Sequence, residues 1–357
     1  MRALIYFATA NAMHYEMIMK ITSTDNRMPF VSVIIPTYNR GNMLPLTLDS
    51  FLDQDYPRDR YEIIVSNNNS TDNTQQVIED YCTRFDHVKT IFEARQGVHY
   101  ARNSAAKKAK GEILFFTDDD MVADRSLIKE IVKVFELDPL IGSATGKIIG
   151  KFEAPPPSWV TKHLTNSYLS LTEKDKPEDL IISRNDFVYS CHEAIRRNVF
   201  FQCGGFNPEN TAGVWIGDGE TGLGIKMKQA GYKFAYTSKS VIYHLIPEAR
   251  TTLGYLVKRI GNQGYCDSYT EYRTHRKRDK ILPGMIERNS IGFIKTLSMT
   301  VAKVLMGYES WRFLPARIAY FHNRNRYDLK LYRDANFRTL AEIDDWLNTD
   351  LTIEVRL

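Results

Sequence analysis

The segment Glu112–Asp120 reads EILFFTDDD: residues suited to a buried strand, a threonine, and then three consecutive carboxylates. Unpaired, this cluster would cost stability through mutual repulsion and partial desolvation. A positive group is therefore expected where the strand ends. Hard divalent cations prefer oxygen ligands, so a cation that also binds phosphate oxygens is one interpretation. The other is a solvated loop whose acids cap the next helix, as Asp124 before Ser126 would do.

The chain before this segment alternates between short apolar runs and helical patterns. Helices are predicted from Asn42, from Asn73 to about Arg84, and from Val98 to Lys110. The runs rich in β-branched and aromatic residues predict strands at Val31–Pro36, Glu62–Ser66, Val88–Phe92 and Glu112–Thr117. Such alternation predicts βαβ units and therefore an α/β, Rossmann-like fold, with a mixed but mainly parallel sheet flanked by helices.

Polar clusters follow three of these strands at the point where each one ends. They read PTYNR after the first strand, SNNNSTD after the second and DDD after the fourth. Ligands of parallel sheets bind beyond the carboxyl ends of the strands, where these clusters would converge. The sequence therefore predicts a ligand site at this edge of the sheet.

The alternation breaks after a predicted helix at Ser126–Glu136. Further strands are expected at Gly142–Gly150 and Phe187–Cys191, and in the runs YKFAY and SVIYH. A glycine-rich helix is expected over Gly219–Ala230, and a mostly helical, basic pattern follows Thr251. We accordingly predict a lead-in over 1–28, one α/β domain over 29–250 and a helical region over 251–357.

Bulk properties exclude several classes of protein. The four cysteines are far apart and form no CxxC pair, which argues against a structural zinc site or a disulfide scaffold and favours a reducing compartment. No stretch approaches the roughly 20 apolar residues that a membrane span needs. The first residues read poorly as a signal peptide. We therefore expect a cytoplasmic protein.

Three motifs in this order and spacing, VSVIIPTYNR, EIIVSNNNSTDNT and ARNSAAKKAKGEILFFTDDD, resemble the nucleotide-sugar-binding half of the family 2 (GT-A fold) glycosyltransferases. The resemblance extends roughly from Val31 to Pro247. It implies an inverting transferase with a nucleotide diphosphate-sugar donor, Mn²⁺ or Mg²⁺ as cofactor, and a glycan or lipid-linked acceptor. It also divides the α/β domain into a donor half, 29–150, and an acceptor half with the base, 151–250.

For the nucleoside, the resemblance implicates the polar loops after the first two strands. Asn67 stands where many members have an aspartate that reads the base edge. An amide can both donate and accept hydrogen bonds, so a uridine nucleotide does not follow. The residues expected to contact the nucleotide sugar in these loops are Pro36, Thr37, Tyr38, Arg40, Asn67 and Asn69.

For the diphosphate, the resemblance implicates the acidic cluster. Asp118 and Asp120 match the ends of the DxD motif and would bind the metal, with Asp118 and Asp119 also facing the donor. Arg102 matches a basic position near the diphosphate, although an exposed arginine on a surface helix is the alternative. His244 is expected to complete the metal site, although a buried core histidine is the more common role for such a residue.

The catalytic base is expected in the segment Gly213–Tyr236. The family carries a Glu-Asp pair there, whose second acid deprotonates the acceptor; this chain has Gly219 and Glu220 at those positions. We predict Glu220 as the base, with Asp218 as a supporting acid or as the base itself. Simple capping of the helix by these two acids is the alternative. His192 and Trp215 are candidate acceptor contacts.

The last third of the chain is basic, with 15 Lys and Arg against 5 Asp and Glu between Arg273 and Arg338. This charge predicts either docking on an anionic membrane, at the inner face and with help from the amphipathic segment Ser310–Tyr327, or an ordinary helical appendage. No nucleic-acid partner is expected. Nucleic acid could bind the basic region, but such binding would not explain the acidic cluster. A nucleotidyltransferase is one alternative function, but PTYNRGN has a single glycine and a single arginine. A non-catalytic nucleotide- or carbohydrate-binding protein is the other.

Overall fold

The computed structural model describes residues 28–164, 166–172, 179–183, 188–211 and 214–349. The predicted lead-in therefore lies outside the described residues, apart from Met28. The expected α/β fold with a helical C-terminal region is confirmed. The boundary at residue 250 between the two predicted domains stays a prediction.

The strands follow the β-branched and aromatic runs of the sequence. Each of the first two starts two or more residues after a proline and is buried along its whole length. In chain order they are β1 Val31–Thr37, β2 Tyr61–Asn67, β3 Val88–Phe92, β4 Ile113–Thr117, β5 Met121–Ala123, β6 Ile141–Phe152, β7 Leu180–Ser183, β8 His192–Arg196, β9 Asn210–Thr211, β10 Val214–Trp215 and β11 Lys233–Ile246.

In the described part of the chain, nine of these strands form one mixed sheet in the order β3-β2-β1-β4-β8-β6-β11-β5, with β7 also on β11. The pairs β1–β2, β2–β3, β1–β4 and β6–β11 are parallel. The strand β8 is antiparallel to both β4 and β6 and joins the two parallel parts. The short strands β9 and β10 form a separate antiparallel pair.

The α-helices fall between and after the strands. They are α1 Leu44–Leu52, α2 Thr74–Arg84, α3 Val98–Lys108, α4 Leu127–Phe135, α5 Ser158–His163, α6 Asn166–Leu169, α7 Arg197–Gln202, α8 Gly219–Gln229, α9 Leu253–His275, α10 Arg278–Glu287, α11 Phe293–Leu305, α12 Phe313–Arg333 and α13 Ala335–Ala341. A short 3₁₀ helix, Glu248–Thr251, connects β11 to α9.

Alternate side chains of the central strands point to opposite faces of the sheet, so the core has two layers. Val33 and Ile35 of β1 pack with α1, α2 and α4 on one face. Ile34 packs with α3, α7 and α8 on the other face. Burial on both faces explains why these strands read as continuous apolar runs.

The C-terminal helices pack against one another and against the segment that contains β10. Tyr269 of α9 and Tyr327 of α12 share an apolar cluster with Trp215 and Ile216. A side chain at Gly264 would place its Cβ 2.3 Å from the Tyr320 carbonyl oxygen, so glycine permits the close approach of α9 and α12.

The structure corrects several boundaries. Val188–Cys191 form no strand; the strand is His192–Arg196, because those residues pair with β4, and Phe187 lies outside the described residues. The runs YKFAY and SVIYH form one strand, β11, with an irregularity between Thr237 and Val241. The three-residue strand β5 was not expected from the sequence.

The amphipathic segment Ser310–Tyr327 is mostly α12, which packs on α9. Two of its four arginines form ion pairs within the fold: Arg317 bonds Glu309 at 2.9 Å, and Arg324 pairs with Glu271. This packing favours the helical-appendage interpretation for α12, and membrane docking of the region stays a prediction. No helix among the described residues is long and apolar enough to cross a bilayer.

Candidate active site

A cavity of about 490 Å³ lies beyond the carboxyl ends of β1, β2 and β4, at the predicted edge of the sheet. The polar loops that follow these strands meet there, and the start of α3 closes one side. The cavity is lined by Pro36, Thr37, Tyr38, Arg40, Asn68, Gln96, Gly97, Val98, Asp118, Asp119, Asp120, Asn210 and Arg250.

The three carboxylates each have a different partner. Because β1 and β4 are neighbours, Thr37 lies beside Asp119, and its hydroxyl donates to Asp119 Oδ2 at 2.7 Å. Burial and the nearby charge of Asp120 raise the pKa of Asp119 to about 7 despite this hydrogen bond. Asp119 thus binds a proton more readily than an ordinary aspartate does.

Arg102 neutralises the second carboxylate. It projects from α3, is 2% exposed, and donates to Asp118 Oδ1 at 2.5 Å and to Ser190 Oγ at 2.8 Å. The alternative of an exposed surface arginine is therefore wrong. Arg102 also helps to lower the pKa of Glu220, so its charge lies between the acidic cluster and the predicted base.

Asp120 is paired through β11. The strand β5 is antiparallel to β11, which brings His244 opposite Met121 and next to Asp120. Arg250, from the 3₁₀ helix after β11, donates to Asp120 Oδ2 at 2.9 Å and lies 2.5 Å from His244 Nε2. His244 Nδ1 lies 2.9 Å from the carbonyl oxygen of Leu169. The positive groups expected at the strand end are thus Arg102 and Arg250.

The same residues fit a divalent cation in part. Asp120 Oδ1 is buried and has no hydrogen-bond partner, and His244 Nε2 lies 3.9 Å from it. Donation by Nδ1–H to Leu169 would leave the Nε2 lone pair free to bind a metal. Among the described residues no three such side chains already surround one point. Oxygens from a diphosphate would have to complete the coordination, and Arg250 would have to move aside from Asp120 and His244.

The amides after β2 serve mainly to build the wall of the cavity. Asn67 donates to Gln75 and accepts from the Ser70 backbone, so both ends of its side chain are engaged, and it does not line the cavity. Asn68, which the sequence did not single out, lines the cavity and accepts from Gly97 N at 2.7 Å. Asn69 has a positive φ of 65° at the turn and does not line the cavity.

Glu220 lies in the first turn of α8, beside a histidine that the sequence did not single out. His99 Nε2 of α3 lies 3.5 Å from Glu220 Oε2. Burial would raise the pKa of Glu220, but His99 and Arg102 outweigh it and lower the pKa to about 2. The Glu220 side chain keeps 21% of its surface exposed and can therefore reach a ligand.

Both carboxylate oxygens of Asp218 accept hydrogen bonds from neighbouring side chains. Its Oδ1 accepts from Asn207 Nδ2 at 2.7 Å and its Oδ2 accepts from Thr270 Oγ1 at 2.8 Å. Burial raises its pKa. With both oxygens engaged and the residue 2% exposed, Asp218 ties the start of α8 to α9, and it does not line the cavity.

The two candidate acceptor residues are buried away from the cavity. His192 is fully buried in β8, with Nε2 2.9 Å from Ser240 Oγ and its ring against Phe115. Trp215 stacks on Tyr265 and donates to the Gly217 carbonyl oxygen at 2.8 Å. Both side chains support the fold here.

A second cavity, of about 510 Å³, lies among the helices. Arg259 lines it, and the charge of Arg259 interacts with Glu209 and Glu220. Glu220 itself does not line this cavity. Its lining consists of Tyr168, Arg259, Ile260, Gln263, Thr296, Arg317, Tyr320 and Phe321.

Comparisons with known proteins point to one family. The model of the family described as "Glycosyl transferase family 2" matches residues 32–204. Glycosyltransferase AglE of Haloferax volcanii is 27% identical over 225 residues, which are 63% of this chain and 68% of that protein. The O-antigen chain rhamnosyltransferase RfbN of Salmonella typhimurium is 30% identical over 221 residues, which are 60% of this chain and 66% of that protein.

A solved structure shares the fold over most of the chain. It is the mannosyltransferase PcManGT from Pyrobaculum calidifontis in complex with GDP-Man and Mn²⁺, which is 19% identical, has a TM-score of 0.57, and covers 90% of this chain and 95% of that one. At this identity the likeness shows the GT-A-like fold. With the matched family model and the glycosyltransferase relatives, it leads to one conclusion: the chain belongs to glycosyltransferase family 2 and is a glycosyltransferase.

Proposed function

We propose that the protein is a metal-dependent, inverting glycosyltransferase. It moves a sugar from a nucleotide diphosphate-sugar to an acceptor hydroxyl in the synthesis of a polysaccharide, glycolipid or other glycoconjugate. The observation that carries the proposal is the position of Arg102, which pairs with Asp118 and also acts on Glu220. The charge of one arginine thus acts both on the acidic cluster, which suits a diphosphate with its cation, and on the predicted base, Glu220.

The donor occupies the 490 Å³ cavity. Pro36, Thr37 and Tyr38 line the nucleoside end, and Arg40 and the acidic cluster line the phosphate end. Tyr38 is half exposed, which leaves its ring available to a base or ribose. Asn68 holds the loop at Gly97 that forms the opposite wall. These contacts would orient the donor before reaction and reduce the entropic part of the barrier.

Asp118, Asp120 and His244 would hold the cation. When bound, Mn²⁺ or Mg²⁺ would neutralise the charge that grows on the departing diphosphate. Arg102 would supply a fixed positive charge to the same oxygens from a buried position, where electrostatic interactions are stronger than in water. Arg250, displaced from Asp120, would remain near enough to contribute another.

Glu220 takes the proton from the acceptor hydroxyl. Its lowered pKa keeps it ionised at neutral pH, so it is ready to accept that proton without prior deprotonation. The hydroxyl oxygen then forms a bond to the anomeric carbon while the bond to the diphosphate oxygen breaks, with the electron pair leaving on the diphosphate. Attack from the face opposite the leaving group inverts that carbon.

The acceptor enters through the second cavity. Arg259 lines it and acts electrostatically on Glu220, and Gln263 and Tyr320 add polar groups suited to sugar hydroxyls. Arg259 and Arg317 also suit a phosphate, which a lipid-linked acceptor would carry. A glycan acceptor and a lipid-linked one both fit this lining.

A thermal-shift panel of UDP, GDP, CDP and dTDP, each with and without Mn²⁺, tests the donor site. Ligand that binds the native state raises the apparent stability, so one nucleotide should raise the melting temperature by several degrees only when Mn²⁺ is present. Asp120→Asn should lose the shift, whereas Asp59→Asn, an exposed acid outside the cavity, should keep it. Absence of any nucleotide-dependent shift in the wild type, or an equal shift in Asp120→Asn, would contradict the proposal.

A further inference from the structure

Exposed apolar side chains are concentrated on one part of the helical region. Of eighteen large apolar side chains that are exposed among the described residues, ten lie between Ile286 and Ile318. This segment contains the end of α10, a π-helical stretch at Arg288–Gly292, α11 and the turn that leads into α12. Scattered exposed apolar residues need no explanation, but such a concentration marks an interaction surface.

The exposed residues of α11 form a stripe. Ile294, Val301 and Leu305 have the spacing i, i+7 and i+11, so they lie on one side of the helix. Leu305 is 83% exposed, and the opposite side of the helix, at Thr300, is buried. We call the exposed set the α11 surface; it consists of Ile291, Ile294, Lys295, Met299, Val301, Lys303, Leu305, Met306, Tyr308 and Trp311.

The charged side chains of α11 itself, Lys295 and Lys303, are both positive. Among the flanking charges, Arg288 is paired with Glu271 and Asp328, and the acids on either side are Glu287 and Glu309. Both lysines are exposed. Beyond the helix, the Arg312 guanidinium lies 4.9 Å from the Trp311 ring centre, which places an exposed indole beside a cation.

From these observations we propose that the α11 surface docks on an anionic lipid bilayer. Apolar side chains would enter the boundary between headgroups and acyl chains, and the lysines would contact the anionic headgroups. Tryptophan and tyrosine favour this boundary, and Trp311 and Tyr308 would lie there. The surface centres on α11 and shares only Trp311 with the segment Ser310–Tyr327 that the sequence suggested.

Charge and length favour a bilayer surface over the other occupants. Cores of protein interfaces are depleted in lysine, whereas the exposed face of α11 includes Lys295 beside the stripe and Lys303 half a turn round the helix from it. No helix among the described residues is long and apolar enough to cross a membrane, so α11 would lie along the surface. A second copy of this chain would also have to bring two like-charged surfaces together.

Co-sedimentation of the full chain with vesicles tests the proposal without any donor or acceptor. We expect binding to vesicles with about one third anionic lipid, weaker binding to neutral vesicles, and loss of much of the binding at high salt. Ile294→Ser combined with Leu305→Ser should lower the partition coefficient about tenfold or more, because two apolar side chains no longer leave water. Lys295→Gln with Lys303→Gln should lower it about tenfold on anionic vesicles and little on neutral ones.

Matched controls come from exposed residues of the α/β domain. Leu46→Ser with Leu137→Ser, and Lys107→Gln with Lys108→Gln, should bind as the wild type does. Equal binding by the α11 variants and these controls, or no vesicle binding at low salt, would overturn the proposal. So would a concentration-dependent dimer in sedimentation velocity that Leu305→Ser abolishes. Since nucleotide-induced stabilisation is measured separately, failure here leaves the donor site intact, and the reverse also holds.

Discussion

Glu220 owes its charge to two neighbours from a different helix. Burial alone would favour the protonated acid. His99 and Arg102, both on α3, reverse this preference and lower the pKa of Glu220 to about 2. The base is therefore ionised throughout the neutral range, and its proton affinity is set by residues more than a hundred positions away in the chain.

The residue-scale prediction concerns His99→Leu, which keeps the bulk but removes the interaction. Without His99, burial has a greater influence, so the pKa of Glu220 rises and the carboxylate protonates at a higher pH. The acid limb of the kcat/KM profile should then move to higher pH. Measurement of transfer rates between pH 4 and 8 checks this. His275→Leu, at an exposed site, is the control and should keep the wild-type profile; an unchanged profile in His99→Leu would contradict the assignment.

Which site residues could be predicted from sequence depends on whether their signal is local. The three carboxylates and Glu220 stand at strand and helix ends whose pattern is visible in a few residues. Arg250 is 130 positions from Asp120, and no local pattern marks that pair. His99 likewise reads as an ordinary residue of α3. Asn68 was overlooked because its neighbour Asn67 matched the motif of the resembling family.

At the scale of elements, the start of α8 is fixed by a buried hydrogen-bond network. Gly219 has a φ of +55° and lies against His99, where a Cβ would be 2.6 Å from the ring. Asp218, the residue before Gly219, is held in place by hydrogen bonds from Asn207 and Thr270. The network sets the direction in which Glu220 leaves the helix, although Asp218 itself does not face the donor cavity.

Thr270→Val tests this role of Asp218. The substitution leaves Asp218 Oδ2 without its donor, and we expect a loss of about 1–3 kcal/mol in the free energy of unfolding. Urea denaturation measures the loss, with the exposed Thr274→Val as the control. Transfer activity should stay within about threefold of wild type, since Asp218 only positions its neighbours. A hundredfold loss of activity with unchanged stability would instead support Asp218 as the base.

The elements predicted well are those with strong local periodicity. The strands β1 to β4 and the helices between them follow apolar runs and end signals that act over a few residues. In contrast, β5 has three residues and exists because it pairs with β11. The predicted strand Phe187–Cys191 ends where β8 begins, because the bounds of β8 depend on its pairing with β4 and β6. Pairing partners are tertiary information that a single sequence does not carry.

At the scale of the whole molecule, the helical region closes back onto the α/β domain. Leu347 is 1% exposed and packs in the same core layer as α3, α7 and α8. The Trp346 backbone donates to the Gly204 carbonyl oxygen, and Lys226 donates to the Asp344 carbonyl oxygen at 3.2 Å. The two predicted domains thus share a core layer, and their stabilities should be coupled.

Leu347→Ala measures that coupling. Removal of a buried leucine side chain costs about 2–5 kcal/mol, and because the residue completes the core next to α8, unfolding should remain a single transition at a lower temperature. Calorimetry of the full chain records both quantities. Leu305→Ala, at a highly exposed position, is the matched control and should leave the transition unchanged. Two separate transitions, with only one of them shifted, would show that the regions unfold independently.

The most direct test measures release of the nucleoside diphosphate from a nucleotide sugar. The sugar donor used is the one whose nucleotide stabilises the protein in the thermal-shift panel. With Mn²⁺, the wild type should release it, by transfer or by slower transfer to water. Asp120→Asn should lose both donor binding and release. Glu220→Gln should still bind the donor, but its rate of diphosphate release should fall by a factor of about a hundred or more. Release by both variants at the wild-type rate would contradict the assignment of the cluster and of the base.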